Sequence, residues 1–129
     1  MKKFAITLCA LLLPLTQAAA ANCDSAVTQL EMSQCAADNY KKVDGELNRL
    51  YQDVVKRLVI EEHKVLLKSA QRKWIAYRDT DCKFQTFPTT GGSVHGMLYS
   101  QCLTQKTAER VKEFKSMLSC KEGDLGCPL

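Results

Sequence analysis

AQRKWIAYRDTDC, residues 70–82, is the stretch that decides how this chain folds. It holds the only tryptophan, Trp74, and its apolar residues recur at helical spacing: Ala70, Trp74 and Tyr77, with Leu66 and Leu67 one turn earlier. That period marks an amphipathic helix and turns Trp74 inward. A second stripe crosses the same segment. Gln71, Trp74, Arg78 and Cys82 lie three and four apart, so an amide, a guanidinium and a sulfur share the inward side. Polar groups at an apolar face need partners, and the rest of the chain must provide them.

Upstream, Thr28 and Glu31 have the spacing of a capping box. Met32, Cys35, Tyr40, Val43, Leu47, Leu50, Val54 and Leu58 then keep steps mostly of three or four. The spacing predicts a first helix from Thr28 to about Ile60, roughly 45 Å long at 1.5 Å per residue. Glu61, Glu62 and His63 interrupt the stripe, which predicts a tight connection around 60–63 with the glutamates favouring the next N-terminus. The second helix runs to about Lys83. FQTFPTTGGSVHG, residues 84–96, is the one long irregular stretch, broken by Pro88, Gly91 and Gly92. A third helix, with Leu98, Cys102 or Leu103, Thr107, Val111, Phe114 and Leu118 on its stripe, starts at Val94 or Met97 and reaches Leu118. The expected fold is all-α: a small three-helix bundle with a long antiparallel helical hairpin, stapled by disulfides.

Folding the first two helices against each other around residue 61 sets the partners. Facing residues then sum to about 122, in the manner of an antiparallel bundle. Arg78 comes opposite Asp44, Trp74 opposite Asn48, and Cys82 opposite Tyr40. Asp44, Asn48, Gln71, Trp74 and Arg78 are therefore expected to form a structural polar core, with the Arg–Asp pair fixing the register of the hairpin.

Residues 1–21 read as a signal peptide: Lys2 and Lys3, an apolar run from Phe4 to Leu15, then the small residues Ala18 to Ala21. The run is shorter than the ~20 residues that span a membrane. Cys9 lies inside it behind a bulky Leu8, unlike a lipid-attachment site, so no membrane anchor is expected. Residues 22–129 form one domain of 129 less 21, or 108, residues. Without Lys2 and Lys3, 16 of the 18 basic residues remain against 14 acidic ones. A net charge of about +2 implicates neither nucleic acid nor an anionic membrane as partner.

Seven cysteines less Cys9 leaves six, an even number in an exported chain, hence three disulfides. Their spacing does not suit zinc, and His63 and His95 stand apart. No metal and no cofactor is expected. Cys35 and Cys102 fall at similar heights on parallel first and third helices, which pairs Cys35 with Cys102 and Cys23 with Cys82. Cys35 with Cys82 and Cys23 with Cys102 is the open alternative. Cys120 and Cys127 close a local loop.

Three linked segments, TQLEMSQC at 28–35, DGELNRLY at 44–51 and AQRKWIAYRD at 70–79, resemble the signature of the LprI-like lysozyme-inhibitor family. Gly91-Gly92-Ser93, Cys102, Thr107 and Arg110 also fit, so the resemblance covers Cys23 to Leu118. It implies a small exported helical protein of the bacterial envelope, periplasmic or secreted, whose partner is a protein such as lysozyme. No nucleophile stands beside a base and no phosphate-binding loop occurs, so no enzymatic activity and no catalytic residue is expected. Loops on rigid scaffolds often carry binding, which makes Phe87, Thr89, Thr90, Ser93 and His95 the expected partner-binding loop. The competing expectation is a protein-binding or immunity module acting on another envelope protein.

Overall fold

The computed structural model describes residues 22–129 apart from Glu122; the expected signal peptide lies outside them. Three helices follow one another: α1 (Gln29–Arg57), α2 (Glu61–Thr86) and α3 (His95–Ser119), with 3-10 turns at Cys23–Ser25 and Phe87–Thr89.

Helix α1 starts where its chemistry demands. The Glu31 amide donates to Thr28 Oγ1 at 3.1 Å, and the Thr28 amide donates back to Glu31 Oε2 at 2.9 Å. Both halves of the capping box are made, so two otherwise orphaned donors are satisfied. No glycine or proline ends this helix. Leu58 instead turns extended and buries its side chain in the core. The connection is thus Leu58–Ile60, a little earlier than expected, and Glu61 and Glu62 sit in the first turn of α2, against its dipole.

Leu47, Leu50, Val54 and Leu58 of α1 pack with Val111 and Phe114 of α3. Full burial of each such side chain stabilises by about 1.5–3 kcal/mol. α1 and α3 run parallel. Gln29 Nε2 lies 3.9 Å from Met97 Sδ at one end, and Arg57 Nη1 donates to the Leu118 carbonyl at 2.5 Å at the other. α2 runs antiparallel to both and packs chiefly on α3, which joins the two arms of the hairpin.

That arrangement keeps the expected inward stripe of Gln71, Arg78 and Cys82 on α2 and corrects the inward placing of its apolar residues. Leu66, Ala70 and Tyr77 are exposed and Trp74 is half-buried, whereas Gln71, Arg78 and Cys82 are buried. The polar stripe, not the apolar one, faces the bundle. It is buried because aromatic rings solvate its cations. Arg78 lies between Tyr40 and Trp74, 5.4 and 5.3 Å from the ring centres. Arg110 lies between Trp74 and Phe114, at 5.7 and 4.8 Å. Aromatic faces and guanidinium groups attract in this geometry, more strongly when desolvated.

The disulfides correct two expected pairings. Cys23 is bonded to Cys35 and Cys82 to Cys102, with Cα atoms 5.9 and 5.7 Å apart. Neither Cys23–Cys82 with Cys35–Cys102 nor the open alternative forms. Height was a poor guide because it ignores facing. The segment before Thr28 coils into its own 3-10 turn beside the start of α1, within reach of Cys35. Cys82 faces α3 from the buried side of α2 and takes Cys102 instead. Cys120 is bonded to Cys127.

Candidate protein-binding site

Arg78 is the fixed point from which this end of the bundle is built. It is only 5% exposed. Its Nη1 donates to Asp44 Oδ1 at 3.1 Å and to Thr107 Oγ1 at 3.3 Å, and its Nε donates to Asp79 Oδ1 at 2.8 Å. One side chain thereby ties α1, α2 and α3 together. Burial works against its charge, but the bond to Asp79, the Tyr40 ring and the bond to Asp44 outweigh it and hold its pKa above the ordinary arginine value. Asn48 donates to Asp44 Oδ2 at 3.5 Å from the exposed side. Gln71 does not meet Asp44; its Oε1 accepts from Arg110 Nε at 3.2 Å. The sequence placed Thr107 on an apolar stripe and did not single out Arg110 as a partner. A buried threonine at the level of Arg78 and a second arginine one turn further were the available signals.

Below this cluster, Cys82–Cys102 clamps the last turns of α2 to the start of α3. Helix α2 then runs a turn beyond Lys83, because Thr86 donates its hydroxyl to the Cys82 carbonyl at 2.7 Å and is buried there. The irregular stretch is therefore shorter than expected, and Phe84 belongs to the helix.

The loop is braced from within. Thr89 donates its hydroxyl hydrogen to the Thr86 carbonyl at 2.8 Å, so at 3.1 Å from His95 Nδ1 its oxygen must accept. That assigns the Nδ1 hydrogen to His95. The His95 ring stacks on Tyr99, centroids 6.1 Å apart. Amides of Thr90, Gly92 and His95 close successive turns onto Phe87, Thr89 and Gly92 carbonyls. Gly91 takes φ +82°, a conformation that side chains with a Cβ resist. Of the five expected loop residues, Thr89 and His95 hold the loop's shape, while Phe87, Thr90 and Ser93 face solvent.

What sequence reasoning missed is Phe84. It is 76% exposed and Phe87 73% exposed, one turn apart at the end of α2. Two phenyl rings in water on a braced turn can anchor a protein partner, since rigid aromatic side chains dominate interface energies. Among the described residues no helix is long and apolar enough to cross a membrane.

Residues 19–114 match the family Lysozyme inhibitor LprI. The chain belongs to the LprI family. That match takes in the capping box, Arg78 with all its partners, the Cys82–Cys102 clamp and the loop, and leaves the Cys120–Cys127 tail outside. The LprI chain is also 34% identical over 113 residues to an uncharacterized protein of Rhizobium meliloti (strain 1021), covering 78% of this chain and 81% of that protein. No solved structure matches it.

Proposed function

We propose that this LprI-family protein is exported, binds lysozyme and inhibits it, with the 84–93 end as the contact surface. The observation that carries the reading is the pair of exposed rings, Phe84 and Phe87, on a turn held by Cys82–Cys102, Thr86 and the Thr89–His95 bond. A braced loop loses little entropy on binding. Lysozyme's cleft works through two carboxylates flanking the scissile bond, and a protruding loop capped by aromatic and hydroxyl side chains can occlude such a cleft without any catalytic group of its own. Disulfide-linked cysteines support an oxidising compartment, the periplasm or the exterior. Residues 1–21 act as the export signal in this account, and the protein is not an enzyme.

A non-lysozyme envelope partner is favoured by one observation. The acidic groups near the site are engaged: Asp81 with Lys106 at 2.6 Å, and Asp44 and Asp79 with Arg78. Little negative field remains to steer the protein toward a basic enzyme. The two readings part in a clearing assay of lysozyme on cell walls. Inhibition at stoichiometric ratio, lost when Phe84 and Phe87 become serine, supports the first. Unhindered clearing at tenfold excess refutes it.

A further inference from the structure

Beyond Ser119 the chain turns back on itself and returns to the bundle. Cys120 is bonded to Cys127, with Cα atoms 5.6 Å apart, and two residues later Leu129 packs on the core cluster of α1 and α3. There Pro128 and Leu129 wall one side of an apolar groove of 380 Å³, whose other walls include Val54, Leu58, Leu66, Leu67 and Met117. Among the described residues, the hydrogen bonds of the intervening loop stay inside it. The Asp124 amide donates to the Lys121 carbonyl at 3.2 Å, the Cys127 amide to the Asp124 carbonyl at 3.0 Å, and the Gly126 amide to Asp124 Oδ1 at 2.9 Å. Leu125 stands in solvent. The tail is thus a strap held at two places, the disulfide and the seat of Leu129.

We propose that Cys120–Cys127 is a redox latch: closed, it seats Leu129 on the core, and opened by a dithiol, it frees the tail and uncovers the groove. One thiolate of the dithiol attacks a sulfur of the bond and forms a mixed disulfide. Its second thiolate displaces that sulfur. The dithiol leaves as a disulfide, and its two electrons and two protons end on the Cys120 and Cys127 thiols. Closed, Leu129 hangs 129 less 127, or two, residues from an anchored cysteine; open, it hangs 129 less 120, or nine, residues from the end of α3. The local concentration of a tethered group falls roughly as the −3/2 power of tether length, so the ratio of seated to free tail drops about tenfold.

Of the three disulfides this one is suited to opening. It closes the shortest span, 7 residues against 12 and 20, so its loss costs the fold least. It lies beyond residue 114, where the family match ends. Both its cysteines are half-buried, whereas Cys82 is 0% exposed. The latch does not depend on the lysozyme reading, because the groove lies at the opposite end of α2 from Phe84.

Methionine methyl NMR of the mature protein tests it, because Met32, Met97 and Met117 lie three, five and three residues from Cys35, Cys102 and Cys120. Dithiothreitol, added until one disulfide per chain is open, should expose Cys120 and Cys127 to an alkylating label. The Met117 signal should shift while Met32 and Met97 stay, and should return on reoxidation. Cys120→Ser with Cys127→Ser should give the shifted position without reductant. Deleting Pro128 and Leu129 with the disulfide intact should move Met117 in the same direction, which a purely local effect of the cysteines would not do. The opened forms should reach at least about half of that displacement. A Met117 signal that ignores opening, or one that opening moves and the deletion does not, overturns the proposal. Labelling of Cys82 and Cys102 first overturns it as well.

Discussion

Replacing Arg78 by alanine removes a side chain that is hydrogen-bonded to residues of all three helices. The loss can be worked from its surroundings. The side chain is 5% exposed, so its truncation leaves a void between the Tyr40 and Trp74 rings. Thr107, fully buried, loses its guanidinium partner. Asp44 and Asp79 are each more than a third or about a third open to solvent, so water can rehydrate them and their share is small. The result lies below the 3–5 kcal/mol of a fully buried broken pair, at about 2–4 kcal/mol. For a domain of this size that lowers Tm by about 9–18 °C. Arg72→Ala, on the solvent face, changes stability by no more than about 0.5 kcal/mol. Arg78→Lys keeps a charge but loses the fork and the stacking, and should fall between the two. Thermal unfolding followed by circular dichroism reads all three. Equal melting temperatures for Arg78→Ala and Arg72→Ala would refute the claim that Arg78 holds the helices in register.

Non-reducing peptide mapping should recover Cys23 with Cys35 and Cys82 with Cys102; a peptide linking Cys23 to Cys82 would contradict the fold. Removing Cys82–Cys102 by double serine substitution should cost about 2–4 kcal/mol, and no loss of stability would mean that the clamp is redundant. Stability should also have an acid limb. Backbone donors from Thr28 and then Val27 hold the Glu31 pKa below the ordinary carboxylate range, and Lys106 followed by Gln85 does the same for Asp81. Both groups bind fewer protons folded than unfolded, so their contribution is complete above about pH 5 and is lost as pH falls below about 4. Glu31→Gln with Asp81→Asn should flatten that limb; an unchanged acid profile would place the sensitivity elsewhere.

The helices were legible because their signals are local. The Thr28–Glu31 box, the α1 stripe through Leu47, Leu50 and Val54, and the Pro88–Gly92 break each act within a few residues. Arg78 opposite Asp44 was also legible, since a tight turn near residue 60 leaves little freedom in register. The inward stripe of Gln71, Arg78 and Cys82 on α2 was legible too, but the inward placing of Leu66, Ala70 and Tyr77 was not. Tyr40, Trp74 and Phe114 come from three different helices to flank the two guanidinium groups and let the polar stripe alone take the buried side. No period in one segment can announce that. Two of the three disulfide pairings failed for a related reason. Height along a helix follows from counting, whereas facing depends on how all three helices pack, and Cys23 reaches Cys35 from a 3-10 turn too short to carry a pattern. Phe84 was missed because a helix end was placed one turn early, ahead of the Thr86 hydroxyl bond that extends it.

The most direct test of the functional claim is a titration of the mature protein against lysozyme clearing a cell-wall suspension, with the Phe84→Ser, Phe87→Ser double variant beside it. Inhibition should saturate near one inhibitor per enzyme, with a loss of at least about tenfold in potency for the variant at unchanged helicity. Full lysozyme activity at tenfold excess of the parent protein, or equal inhibition by parent and variant, would contradict it.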